Sequence, residues 1–200
     1  MRSTLLAATL LLLTPAAASA APWRVLPGST LVFSSSYEGE AFQGKFAKFT
    51  PRIEFDPKQL ATSRFDISID LASADSQNSE RDELLQSGEF FNTRKTPQAR
   101  YLATRFRAVG GNRYVAEGTL SLNGASKPVA LDFTWTPGAQ TVLAGTATLM
   151  RLDFRVGTGE WADTDPLPNA VQVKTRLLLA PPAPAAPAVK PPGTPAAKQR

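Results

Sequence analysis

The chain has 200 residues, a 42% apolar share and a formal charge of +5, which suits one globular domain rather than a disordered or membrane-spanning chain. Histidine and cysteine are both absent, so Ser-His-Asp and Cys-His nucleophiles, the usual zinc sites and disulfides are excluded. Without Arg2 at the start and Lys190, Lys198 and Arg200 at the far end, the body carries +1 and shows no clustered basic face for nucleic acid.

Residues 1–20 read as a secretory signal peptide. Arg2 gives a minimal positive region, Leu5 to Leu13 an apolar core, and Ala18-Ser19-Ala20 a small-residue site that predicts cleavage before Ala21. The apolar run is shorter than the roughly 20 residues of a spanning helix, and no later segment is long enough, so stable membrane insertion is not expected. The body, 21–180, is then expected in the periplasm.

Strand signals follow one another. Over 30–36 and 45–55 they are weak, and these runs supply Phe33 and Phe46 as candidate wall residues. Over 64–71, Phe65, Ile67, Ile69 and Leu71 alternate with Arg64, Asp66, Ser68 and Asp70, which is a strand with one dry face; Ile69 and Leu71 are its wall candidates. Further runs cover 99–109 and 114–123, the latter with Leu120 and Leu122. In the next, Val129, Leu131, Phe133 and Trp135 alternate with polar or small residues, and Phe133 and Trp135 are taken as wall. The run 141–156 contributes Leu149 and Phe154, and the last strand Val173, alternating with Gln172 and Lys174. Gly110-Gly111-Asn112, Asn123-Gly124 and Pro137-Gly138 supply the turns.

About eight such strands, with no helices between them, predict an all-β antiparallel barrel or sandwich rather than a parallel α/β sheet. An eight-stranded barrel is just wide enough to be filled by side chains or to hold one small ligand. Small residues on the expected dry faces, Ala116 and Gly118 in one strand and Ala144, Thr146 and Thr148 in another, leave room for either reading.

The segment Ser79-Glu-Arg-Asp-Glu-Leu-Leu-Gln-Ser-Gly-Glu-Phe-Phe-Asn92 breaks the β pattern. Ser79 three residues before Asp82 fits an N-cap, acids in a first turn suit the positive helix end, and Gly88 fits a stop. A short helix follows, with Leu84 and Phe91 as its lid residues over a barrel mouth. The alternative is chemical: Glu80, Asp82, Glu83 and Glu89 are acids from which an envelope enzyme could draw a carboxylate pair for glycan hydrolysis. Arg151, Asp153 and Arg155 share one face of an expected strand, either as an exposed ion-pair row or as a buried pair anchoring the helix. Gly157-Thr158-Gly159 lacks the third glycine and the helix of a dinucleotide fingerprint, so it reads as a turn. From 181 to 200 the chain turns to Pro and Ala, with seven of its 17 prolines, and an extended solvated tail is expected.

These residues together resemble the YceI-like family of exported, lipocalin-like proteins, over about residues 23–179. The resemblance is carried by Arg81-Asp-Glu-Leu-Leu85 with Gly88-Glu-Phe-Phe-Asn92, by Leu120-Ser-Leu-Asn-Gly-Ala-Ser-Lys-Pro-Val-Ala-Leu131 and by Arg151-Leu-Asp-Phe-Arg-Val-Gly157. It implies an eight-stranded lipocalin-like antiparallel barrel with the helix near its mouth, an apolar tunnel holding a long-chain isoprenoid or quinone-like lipid, no catalytic residues, no cofactor and no metal. It also implies a binding or carrier role, which a homodimer would not contradict. The family's association with stress responses attaches to no residue here. Many members carry a histidine in the stretch matching 34–40, and this chain does not.

Overall fold

The computed structural model describes residues 21–182; the expected signal peptide and nearly all of the Pro/Ala tail lie outside the described residues. Eleven antiparallel strand segments form one curled sheet: β1 (Arg24–Val25), β2 (Thr30–Tyr37), β3 (Glu40–Phe46), β4 (Phe49–Glu54), β5 (Arg64–Asp70), β6 (Ala74–Asp75), β7 (Gln98–Gly110), β8 (Arg113–Leu122), β9 (Ala125–Thr136), β10 (Thr141–Met150) and β11 (Ala170–Ala180). Ten run in the order β4-β5-β7-β8-β9-β10-β11-β2-β3-β6, and β1 pairs with β11 off that path. The lipocalin-like architecture is as expected; the number of strands is not eight.

The difference has local causes. The expected run 45–55 is two strands, because the chain turns at Ala47 and Lys48, whose N–H groups donate to Ser73 O and Ser73 Oγ. The run 141–156 ends at Met150, where a 3-10 turn, Arg151–Phe154, begins. Strands β1 and β6 have two residues each, too short for any periodicity to register.

Strands β3 and β4 are neighbours in the chain but not partners in the ladder. Near the Leu179 end of β11, β1 fills the gap between β11 and β4: Arg24 and Val25 pair with Ala180 and Leu179, and the Trp23 N–H donates to Ile53 O at 2.8 Å.

The inner faces are mostly those that alternation predicts, with one reversal. In β10 the buried positions are Thr141, Leu143, Gly145 and Ala147, whereas Thr146, Thr148 and Met150 are exposed. The expected small-residue face of Ala144, Thr146 and Thr148 is thus the outer one, and Gly145 and Ala147 are the small inner residues. Gly118 does not leave room either: a Cβ there would meet the Tyr101 ring at 2.6 Å, so the tyrosine fills that space.

The helix forms as α1 (Ser79–Gln86). Its cap is Asn78, not Ser79: Asn78 Oδ1 accepts from the Arg81 N–H at 2.9 Å, satisfying one of the otherwise orphaned first-turn donors. Nor is Gly88 the stop, because the chain already leaves the helix at Ser87 in an extended conformation. The Phe91 N–H then donates back to Leu85 O at 2.9 Å, folding the two phenylalanines under the helix.

Candidate functional site

Burial along the strands divides the interior into a solid end and a hollow one. At the solid end the Phe55 ring lies 4.9 Å from Trp135, 5.1 Å from Tyr114, 5.2 Å from Phe133, 5.7 Å from Phe106 and 5.9 Å from Phe65, centroid to centroid. Trp23 closes this end edge-on to Trp135 at 5.0 Å, its Nε1–H donating to Phe55 O at 3.0 Å.

Further along the same strands the aromatic rings give way to Ile, Leu, Val and Ala, and a cavity of about 180 Å³ opens. Apolar cavities of about 150 Å³ stay dry and accept hydrocarbon, so this one is large enough for part of an alkyl or prenyl chain. Its walls include Ile67, Ile69 and Leu71 from the β5 side, Leu120 and Leu122 from β8, Val129 and Leu131 from β9, Ala147 and Leu149 from β10, and Val171 and Val173 from β11. Leu85, Phe90 and Phe91 cover it from the helix side, and Phe154, Val156 and Leu167 from the loop after β10.

Of the expected wall residues, Phe33, Phe46, Ile69, Leu71, Phe91, Leu120, Leu122, Leu149, Phe154 and Val173 all border this cavity. Phe133 and Trp135 do not: they share the inner face of β9 but stand in the aromatic plug. Leu84 is also misplaced, because the helix turns Leu85 inward and leaves Leu84 half-buried outside the lining. Phe42, Phe49 and Tyr101 are wall residues that were not expected. For Ile67 and Val171 the signal was available, since each shares strand parity with a residue already chosen. For Phe42 it was not, because 37–44 shows no clean alternation.

The four carboxylates of the catalytic alternative are placed elsewhere. None lines the cavity. Asp82 Oδ1 accepts from Ser76 N–H at 2.8 Å and Ser76 Oγ–H at 2.6 Å, and Glu89 Oε2 accepts from Trp161 Nε1–H at 3.1 Å, while Glu80 and Glu83 are exposed. They fasten loops and start a helix.

Arg151 corrects both sequence expectations for its stretch. It sits on the 3-10 turn, 4% exposed, beside the cavity, while Asp153 is exposed on the same turn. Its guanidinium donates to five carbonyls: Nε to Pro168 at 3.2 Å, Nη1 to Val156 at 3.1 Å and Gly157 at 3.0 Å, Nη2 to Asp163 at 3.1 Å and Leu167 at 2.7 Å. Guanidinium has five N–H groups in a fixed fork, so none is left for a ligand. Burial lowers its pKa from the ordinary arginine value, but the carbonyl cage keeps the cation hydrogen-bonded. A Cβ at Gly157 would collide with Arg151 Nη1, and Gly157 and Gly159 both adopt positive φ. Together they form the turn expected of Gly157-Thr158-Gly159.

Two other polar side chains of the wall are also engaged. Tyr101 Oη lies 2.9 Å from Ala116 O and 3.2 Å from Val129 O, and burial pushes its pKa well above the usual phenol value. Thr175 Oγ1–H donates to Thr30 O at 3.1 Å. The cavity therefore presents hydrocarbon almost everywhere.

Comparison with known proteins agrees with this architecture. The profile of the YceI-like domain matches residues 23–179. A UPF0312 protein of Photorhabdus laumondii is 35% identical over 138 residues, which is 66% of this chain and 71% of that protein. BcnA of Burkholderia cenocepacia superposes with a TM-score of 0.72 at 30% identity, over 75% of this chain and 95% of that one. A polyisoprenoid binding domain from Saccharophagus degradans, implicated in plant cell wall breakdown, shares the fold, with a TM-score of 0.62 at 16% identity over 82% of this chain and 100% of its own.

Proposed function

The chain belongs to the YceI-like family, and from that premise we propose that it is a periplasmic carrier that shelters a long-chain isoprenoid or quinone-like lipid in its apolar cavity. The carrying observation is the wall: aliphatic and aromatic side chains on every side, with Tyr101, Thr175 and Arg151 already hydrogen-bonded within the protein. The polyisoprenoid binding domain of the same fold supports the choice of lipid class.

The physics of such binding is simple. A hydrocarbon chain offers nothing to recognise except its own cost in water, about 0.8 kcal/mol per CH₂. Ten buried carbons would supply roughly 8 kcal/mol, near micromolar affinity before ordering costs are subtracted. Specificity must then come from length, girth and the polar end.

Lipid extraction and mass spectrometry of the exported protein test this directly. Recovery of a prenyl lipid is expected, and repeated recovery of a lipid-free protein would overturn the proposal. Ala147→Trp is the matching variant, because Ala147 faces the cavity from β10. It should keep the fold and abolish loading; full loading would mean that the lipid sits elsewhere. Ala116, also buried, is the wrong place for this substitution: it is 0% exposed but does not line the cavity.

A further inference from the structure

One polar atom of the wall has no partner among the described residues. Ser35 continues the inward row of Leu31 and Phe33 on β2, and its Oγ is buried without a hydrogen bond. A methyl group would fill this place without leaving a hydroxyl unsatisfied, and an unsatisfied buried hydroxyl is unfavourable. A ligand oxygen would restore the missing bond.

The surroundings of Ser35 differ from the rest of the wall. Its ladder partner on β3 is Phe42, and directly opposed residues of an antiparallel pair put their side chains on the same face. Phe42 borders the cavity and also a polar surface groove that includes Gln43, Lys45, Asp75, Ser76 and Arg81. The Arg81 guanidinium carbon stands 4.6 Å from the centre of the Phe42 ring, within cation–π range. Arg81 is held in turn by Ser76, through Nε to Oγ at 2.9 Å and Nη2 to O at 3.1 Å, and Ser76 by Asp82. The loop after β10 is tied down by Arg151 and by Glu89 O, which accepts from Gly157 N–H and Thr158 N–H at 2.8 and 3.0 Å. Beside Ser35, by contrast, a single side chain borders both the cavity and the groove.

We propose that Ser35 hydrogen-bonds the polar end of the ligand within the cavity, that this end is a neutral oxygen group such as an alcohol or carbonyl, and that Phe42, steadied by Arg81, is the door through which it passes. The selection for a neutral end follows from the wall. Arg151 has no N–H left to give, and Ser35 offers a single hydroxyl, so an ionised phosphate or carboxylate would be buried largely uncompensated. This reading deepens the lipid-carrier proposal and rests on it.

The test measures displacement of the fluorophore N-phenyl-1-naphthylamine from the mature protein, with and without Ser35→Ala, by farnesol, farnesyl phosphate and farnesene. Farnesol should lose about fivefold in affinity on loss of one hydrogen bond, farnesene should bind both proteins equally, and farnesyl phosphate should bind most weakly. Phe42→Ala should speed farnesol release several-fold. Equal farnesol affinity in the two proteins, tighter binding of the phosphate, or a release rate indifferent to Phe42 would each overturn the assignment while leaving a lipid cavity in place. Failure of the fluorophore and all three probes to bind the unsubstituted protein would instead overturn the carrier reading itself.

Discussion

Phe55 has five aromatic neighbours with ring centroids between 4.9 and 5.9 Å, whereas at the other end of the same barrel Phe46 touches Phe33 at 5.3 Å and Phe91 at 5.9 Å and borders a void. The two ends share strands and inner faces. What differs is side-chain size by position: β5 begins with Phe65 and continues with Ile67 and Ile69, and β9 reaches Trp135 and Phe133 only after Val129 and Leu131. On β5 and β9 the rings that interdigitate fill the barrel's width, while the aliphatic residues next to them along each strand line it together with rings from β2, β3 and the helix side and leave the centre empty. One set of strands thereby makes both an aromatic plug and an apolar cavity.

The largest contrast should come from one substitution made at each end. Phe55→Ala should cost about 3–5 kcal/mol, because the cavity it creates cannot collapse against rigid rings. Phe46→Ala should cost only about 1–2 kcal/mol, because that ring already lacks neighbours on one side. Urea denaturation measures both, and equal losses would erase the distinction between the ends. Next comes Arg151→Lys, with an expected loss of about 2–4 kcal/mol: an ammonium has three donors for five carbonyls and cannot reproduce the fork. Its effect should fall on the hollow end, seen as earlier proteolysis of the loop 156–168.

Smaller effects sharpen the picture of the wall. Asn78→Ala should lose about 1 kcal/mol by uncapping α1, and Ser79→Ala much less, since Asn78 is the residue that holds the Arg81 N–H. The smallest concerns Asp66, on the outer face of β5. The Arg100 guanidinium, helped by Arg64, holds its carboxyl at about 2, below its ordinary value of 3.8. A carboxyl lowered in the folded state contributes stability above the unfolded value and loses it as pH falls toward the folded one. Asp66→Asn should therefore remove a small acid-limb component between about pH 4 and pH 2, worth under about 1 kcal/mol as surface ion pairs usually are. An unchanged acid limb would show that the cluster contributes nothing.

Much of the barrel was legible because its inner residues alternate. Parity alone located Ile69, Leu120 and Val173 on the cavity wall, and the break in parity at 79–92 announced the helix. What parity cannot give is position along the barrel axis, so Phe133 and Trp135 were assigned to the cavity when they fill the plug. In β10 two small-residue faces compete, and nothing in Val142 to Met150 says which one turns inward. Leu84 and Leu85 posed the same problem on a helix of eight residues, too short to fix its phase. Arg151 was missed for another reason. An isolated arginine near acids suggests an ion pair, and five carbonyls converging from Val156 to Pro168 leave no mark in side-chain chemistry.

The seam between β3 and β4 has a mechanical consequence. A fully laddered cylinder can widen only by breaking backbone hydrogen bonds, whereas β3 and β4 share no ladder; β4 is tied there to the β1 segment through Trp23 N–H and Ile53 O, and the Ala47-Lys48 turn is tied to Ser73. The circumference is thus elastic along one line and stiff around the rest. Widening along that line would therefore break fewer backbone hydrogen bonds than widening across any of the laddered pairs.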